Sequence, residues 1–370
     1  MRKLLIAIFT LGVASFFLMP QAQSSEAISS APMKDSLHVT ITIWKDSAIG
    51  AIYNKATQTV AYGKPDKNEV YHIYLCDTNG NNVKRLVVPG WKEDRQQWAE
   101  EWTPDGQFLF CYVEKSEYAK EKGHKRKPVD AIPGYGGYTD LWVVKRDGSR
   151  AWQLTNLANN YSSGLIHAAI SHDGKMFAYT ERIGAPKFGS FNLGAGSYVF
   201  RVADIVMDSF PHLVNTRTFQ PGNIPASGEL DGISADNTTL FFYSTFESKN
   251  ILATPLYSLN MVDGKITKLT TESFSQAPSV SPDGKKIVYM TGDGADRFPG
   301  EIQGADWWIM NPDGTGKERL TWMNKKNHPQ SINHYRLAGC LSFMSDNSFL
   351  GGVMVKPLGL IGYTAKVTFQ

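Results

Sequence analysis

The chain has 370 residues, 42% of them hydrophobic and 20% charged, so it can bury a substantial core and is too apolar for a disordered linker. Lys+Arg 38 against Asp+Glu 35 leaves a net charge of +3, which excludes the one-signed field that binding a nucleic-acid backbone requires. Glycine (33), Trp (9), Tyr (16) and Phe (19) suit short strands joined by tight turns and point to an all-β fold.

Arg2 and Lys3 precede an apolar run from Leu4 to Met19, followed by Pro20 and small residues, the build of a signal peptide. The run is shorter than the roughly 20 residues needed to span a bilayer. Ala22 and Ser24 form the small pair a signal peptidase reads, so residues 1–24 are expected to be removed by cleavage near 24–27. Residues 25–36 read as a flexible tail and 37–370 as the folded unit of an exported protein, in periplasm or organelle lumen, without a membrane anchor. The alternating stretch Leu37 to Trp44 is the first strand.

Internal repetition organises the rest. Val280-Ser281-Pro282-Asp283-Gly284-Lys285-Lys286-Ile287-Val288-Tyr289 reads strand, tight turn, strand: Pro presets φ, Asp caps its own backbone and Gly takes positive φ. Related phrases lie at Trp102 to Gly106, Ile170 to Gly174, Ile233 to Asn237 and, more worn, Phe343 to Asn347. A second hairpin follows the first in each unit, as in Asp306-Trp307-Trp308-Ile309-Met310-Asn311-Pro312-Asp313-Gly314 ending in Leu320-Thr321, in Asp140 to Gly148 ending in Leu154-Thr155, and in Leu256 to Gly264 ending in Leu269-Thr270. A degenerate first unit runs from Ala48 to Val87, and from Ala338 to Gln370 there is room for three strands only. Four-stranded units that cannot bury both faces alone should stack into a single β-propeller. Six blades are favoured, seven if a long loop hides a worn repeat. The strand at Leu37 to Trp44 completes the last blade and closes the ring.

Cys76, Cys111 and Cys340 lack C-x-x-C and C-x-x-C-H spacing, so the chain offers neither a zinc ribbon nor covalent haem attachment. Each lies in an apolar, strand-like run and reads as a buried small hydrophobe; a Cys76–Cys111 disulfide after export is the alternative.

The S-P-D-G-K-K-I-V-Y phrase followed by D-W-W-I-M-N-P-D-G and L-T resembles the WD40-like repeat of the TolB family of propellers, over nearly all of Leu37 to Gln370. The resemblance implies a propeller fold and leaves function to the loops. The hydrolase elbow G-x-S-x-G, H-E-x-x-H and the P-loop are missing. Turns between first and second and between third and fourth strands are minimal, whereas Glu114 to Thr139, Ile183 to Gly196, Phe246 to Ala253 and Gly292 to Gly304 are long. So are the between-blade segments Pro89 to Gln97, Asn156 to Gly164, Gln220 to Gly228 and Trp322 to Tyr335. The functional surface is therefore expected on that face. Glu114 to Asp130 is a charged, solvated loop, and Gly134 to Tyr138 combines mobility with two aromatics. Tyr135, Tyr138, Phe246, Lys249 and Leu252 are the candidate partner anchors.

His328 and His334 are the best metal pair, but no carboxylate shares their loop and two ligands leave a site incomplete. Arg297, Glu301 and Asp306 are candidate charges at the ring mouth. No catalytic residue and no cofactor is assigned to the chain. The expected role is a non-catalytic exported propeller that docks other protein subunits in a hetero-oligomer. Length, leader and lone propeller together resemble the propeller subunits of exported multihaem oxidoreductase complexes, which implies multihaem cytochromes as partners and haem c on them alone. The alternatives are a Tol-like envelope binding protein and a lyase or hydrolase acting on an acidic oligosaccharide. The oligogalacturonate lyases resemble TolB propellers and hold a metal with His and Gln, for which Gln330 lies beside His328 and His334 while Gln303 stands in another long loop.

Overall fold

The computed structural model describes residues 37–117, 127–131, 136–184, 196–223, 225–247, 254–271, 274–292, 304–325, 327–331, 336–355 and 362–370. The leader (1–24) and tail (25–36) lie outside them. The strands are β1 (Val39–Asp46), then β2 (Ile49–Asn54), β3 (Thr59–Pro65), β4 (Tyr71–Asp77) and β5 (Lys84–Arg85) in blade 1. Blade 2 holds β6 (Gln97–Trp102), β7 (Phe108–Glu114), β8 (Thr139–Lys145) and β9 (Ala151–Gln153). Blade 3 holds β10 (Gly164–Ile170), β11 (Met176–Gly184), β12 (Ser197–Val206) and β13 (His212–Phe219). Blade 4 holds β14 (Gly228–Ile233), β15 (Thr239–Ser244), β16 (Leu256–Asn260) and β17 (Ile266–Lys268). Blade 5 holds β18 (Ser275–Val280), β19 (Ile287–Thr291), β20 (Asp306–Met310) and β21 (Glu318–Arg319), and blade 6 holds β22 (Arg336–Ser345), β23 (Ser348–Val355) and β24 (Tyr363–Phe369).

Six four-stranded antiparallel sheets result, and in the sixth β1 pairs with β24 in the place of a fourth strand. The fold is the six-bladed, all-β propeller that the repeats imply, closed by the N-terminal strand. The first strand of each blade lies innermost and touches the first strands of its two neighbours around the ring.

Each blade is covered on both faces by its neighbours, so the middle strands β7, β11, β15 and β19 are buried almost throughout and read as continuous apolar runs. The core is accordingly divided into six apolar clusters, one at each blade junction. Cys76 and Cys111 sit in two different clusters, both as free thiols. The Cys76–Cys111 disulfide is not formed; burial pushes the Cys76 thiol up to about 11.

The turn phrase has a local cause. Ser281 Oγ donates to Asp283 Oδ1 at 2.7 Å and accepts from Lys286 N, while Asp283 Oδ1 accepts from Lys285 N. Gly284 takes φ +71, and a Cβ there would lie 2.5 Å from Ala235 Cβ in the preceding blade's turn. Thr103/Asp105, Ser171/Asp173 and Ser234/Asp236 repeat the bond between hydroxyl and carboxylate.

The L-T ending also has a local cause. Thr321 Oγ1 accepts from Trp307 N and donates to Asp306 Oδ1, which also accepts from Met323 N. Asp140, Thr155, Leu141 N and Leu157 N form the same clasp in blade 2. Asp306 is paired with buried Arg319 at 2.8 Å, so it is a structural clasp and not a charge at the ring mouth.

At the described ends of the segment Glu114 to Asp130, Glu114 accepts from Gln96 N, Asp130 accepts from Lys127 N and Lys115 pairs with buried Asp140, while Glu117 and Lys127 are exposed. Residues 118–126 lie outside the described residues. Gly136 and Gly137 are a place of close approach between two backbone segments. Gly137 bridges to Gly164, and a Cβ on Gly164 would overlap the Gly136 carbonyl.

Candidate functional site

In all six blades the innermost strand has a register irregularity, between Ile49 and Ile52, Ala99 and Glu101, Leu165 and Ala168, Leu230 and Gly232, Gln276 and Ser279, and Ala338 and Leu341. A bulge re-aims the side chains it carries. Around the channel these six bulges present unlike chemistry. Consecutive blades 2, 3 and 4 offer Glu100, His167 and Asp231, whereas blades 5, 6 and 1 offer Ala277, Ser279, Gly339, Leu341, Gly50 and Ala51. They enclose a cavity of about 120 Å³ on the channel axis, completed by Ile49, Ile52, Trp98, Glu101, Val353, Met354 and Tyr363. The lining from blade 6 includes Val353, Met354 and Gly362, where β23 leads toward β24. That connection belongs to the long-loop face, so the cavity sits toward that face.

His167 is the hub of the charged arc. Its Nδ1 lies 3.8 Å from Glu100 Oε2 and 3.8 Å from Asp231 Oδ1, and its Nε2 lies 3.5 Å from Glu229 Oε2. These are ion-pair separations, wider than a good hydrogen bond. Burial is the main force on the carboxylates: it pushes Glu100 and Glu229 each up to about 7, against the pull of His167. Asp231 is raised for the same reason, and Glu101 well above its ordinary value, with Glu100 and Asp231 adding repulsion. Glu100 is only 7% exposed, and its Oε1, like Asp231 Oδ2, has no hydrogen-bond partner. An oxygen left in this way carries a desolvation cost that a proton, water or ligand relieves. The arrangement can hold protons near neutrality or receive a cation.

None of these five residues was singled out in the sequence, where they stand inside strand phrases (Trp98-Ala99-Glu100-Glu101-Trp102, Ile166-His167-Ala168, Glu229-Leu230-Asp231). A usable signal existed. Glu100, His167 and Asp231 each stand five or six positions ahead of the turn aspartate (Asp105, Asp173, Asp236) in three successive repeats.

The residues chosen from the sequence fall elsewhere. Tyr138 is 1% exposed, with its ring 6.3 Å from that of Tyr161, and so presents no surface anchor. Phe246 is half-buried against Tyr257 at 4.8 Å between ring centroids. Tyr135, Lys249 and Leu252 lie outside the described residues, as do His334, Gln303, Arg297 and Glu301. His328 stacks near Trp322 and its Nδ1 accepts from Gln330 N at 3.2 Å, while Gln330 Oε1 accepts from Trp322 N. Among the described residues no group of three or more His, Cys, Asp or Glu side chains is placed to hold a metal ion.

The described residues form a six-bladed β-propeller of four-stranded antiparallel blades. No protein-family model matches the chain, and no curated protein matches it. Among solved structures, TolB from Acinetobacter baumannii aligns over 86% of this chain at 15% identity with a TM-score of 0.49; the chain spans 65% of that protein. The β-propeller domain of the Trilobed protease from Pyrococcus furiosus aligns over 87% of this chain and 84% of its own, at 13% identity and a TM-score of 0.44. A puromycin-hydrolysing peptidase from Mycobacterium tuberculosis aligns over 82% of this chain and 43% of its own, at 14% identity and a TM-score of 0.47.

Proposed function

We propose that this protein is an exported, non-catalytic propeller subunit that docks other proteins on its long-loop face. The observation that carries the reading is the inequality of the two faces. One is a ring of interlocked minimal turns, and the other receives every long connection and the axial cavity. Varied loops on a rigid ring are the usual place for recognition. The finer reading, from length, leader and lone propeller, is the β subunit of hydrazine synthase, with the joining of nitric oxide and ammonium to hydrazine performed on haem-bearing partners. Haem c would then belong to multihaem cytochrome subunits, and the compartment to the periplasm or anammoxosome lumen of an anammox organism.

The test is purification of the tagged full chain from its native host. Co-purifying subunits that carry covalent haem, with none on this chain, support the finer reading. A stable complex without haem proteins removes it and leaves the docking role standing. A chain that purifies alone removes both. Because Tyr138 is buried and Phe246 packs on Tyr257, the variant to use is Tyr135→Ser/Lys249→Ser/Leu252→Ser. It should assemble poorly while unfolding like the wild type. Full assembly by it, together with loss of assembly on substituting Asp147 and Asp313 at the opposite turns, would place docking on the other face.

A further inference from the structure

We propose that His72 is an acid-sensitive latch on the connection Pro89 to Gln97: the neutral imidazole holds Arg85 against Glu93, and the protonated ring lets both go. Nothing in this device depends on what docks at the loops.

The geometry fixes which form of the ring the closed latch needs. Arg85 Nη2 lies 2.9 Å from His72 Nδ1, and a guanidinium can only donate, so Nδ1 is the acceptor and carries no proton. The ring proton is then on Nε2, which faces Asp66 Oδ2 at 3.7 Å. The other oxygen of Asp66 accepts from Asn68 N and Val70 N within the turn between β3 and β4. The same Arg85 Nη2 pairs with Glu93 Oε2, so one nitrogen joins β4, β5 and the connection to blade 2. That connection in turn holds the start of the long segment 114–139. Arg95 Nε donates to Lys115 O and Arg95 Nη2 to Ser116 O, each at 3.1 Å, and Lys92 Nζ donates to Ser116 O.

Protonation at Nδ1 turns the acceptor into a donor and sets a second positive charge against the guanidinium, at a ring only 3% exposed. The Arg85 side chain is 30% exposed and has solvent to swing into, and Glu93 then loses its tie to β5. The groups facing the ring are Asp66 from the turn, Arg85 from β5, Glu93 from the connection and Lys64, its cross-strand neighbour on β3. β6, which also packs on β4, carries Glu100 and Glu101, and these line the axial cavity. Burial, followed by Arg85, pushes the imidazole below its ordinary 6.5, against the pull of Asp66 and Glu93. The folded state thus favours the neutral ring. The latch is shut above about 6.5 and opens as pH falls below that value.

The experiment is amide hydrogen exchange by mass spectrometry on the full chain at pH 7.5 and pH 5.0, corrected for the intrinsic pH dependence of exchange, with β19 as internal reference. Protection of residues 89–97 and 115–117 should fall about threefold to tenfold at pH 5.0 relative to β19. His72→Asn, whose carboxamide oxygen accepts from Arg85 but takes up no proton, should keep the high protection at both pH values. Arg85→Met should show the low protection at both. Wild-type protection of 89–97 that is equal at the two pH values overturns the proposal, and this arm needs no variant to fold. A fall at pH 5.0 that survives in His72→Asn overturns it too, since another group then sets the acid response.

Discussion

Asp306 shows how much of the ring depends on single polar side chains. Its two oxygens receive Thr321 Oγ1, Met323 N, Arg319 Nη2 and Asn324 Nδ2, all buried. Arg319→Met would leave that carboxylate without its cation at 2% exposure, a loss of about 3–5 kcal/mol, measurable as a lower midpoint in urea. The axial carboxylates act in the opposite sense. Glu100 and Glu229 are raised from an ordinary 4.5 to about 7, so the folded state binds their protons more tightly than the unfolded state. The stability they contribute is complete below about 4.5 and is lost as pH rises through about 7. Thermal unfolding should therefore occur on the order of 5 °C lower at pH 8 than at pH 5, and Glu100→Gln/Glu229→Gln should flatten that slope; a slope unchanged in the double variant would mean these groups do not set it. At this scale the sequence was only partly legible. Asp140 and Asp306 were visible as recurring partners of an L-T ending, but their clasp is a contact between strands that spacing does not reveal. The axial charges were passed over because functional residues were sought on the long loops, whereas these stand inside strand phrases.

Among the elements, the turns were the most legible because their chemistry is local: a hydroxyl, a carboxylate and a residue at positive φ close each one within a few residues. What spacing did not show is that the turns lock together. Asn54 Nδ2 donates to Thr103 O, His172 N to Asn237 Oδ1, and Asp283 N to Asp346 Oδ1, each across a blade junction. The Gly-rich segment before β8 was misread for a related reason. Glycine there serves the approach of two backbones, and a sequence does not distinguish that from freedom to move. Gly164→Ala tests the difference. Its Cβ would meet the backbone oxygen of Gly136, which no side-chain rotation can relieve, so the variant should lose about 3 kcal/mol or more. Gly264→Ala, with nothing within 4 Å of the new Cβ, should lose only the smaller cost of its positive φ. Equal losses at the two sites would show that close packing at Gly136 is not the constraint.

At the scale of the whole molecule the repeat spacing favoured six blades over seven, because each blade is a recurring phrase, and the strand deficit of the last one located the closure. β1 does more than fill that vacancy. Val39 and Ile41, with Leu37 just before them, pack on the cluster shared by blades 5 and 6, while its far end reaches blade 1. Trp44 Nε1 donates to Thr78 O at 2.8 Å and Lys45 Nζ to Gly80 O at 2.7 Å, and the Trp44 ring meets Tyr62 edge-on. One strand thus ties the last blade to both neighbours, which makes the ring a single cooperative unit. Removing residues 37–46 should cost about 1 kcal/mol for each partly buried aliphatic side chain, about 3 kcal/mol together. The junction contacts to blade 1 would be lost in addition. Thermal unfolding should fall by roughly 5 °C or more. The deletion also leaves β24 as an open edge whose backbone groups seek a partner. The truncated protein should therefore self-associate on size-exclusion chromatography with increasing concentration, while the full chain elutes unchanged. A truncated chain that stays monomeric and unfolds at the wild-type midpoint would show that the ring holds without its N-terminal strand.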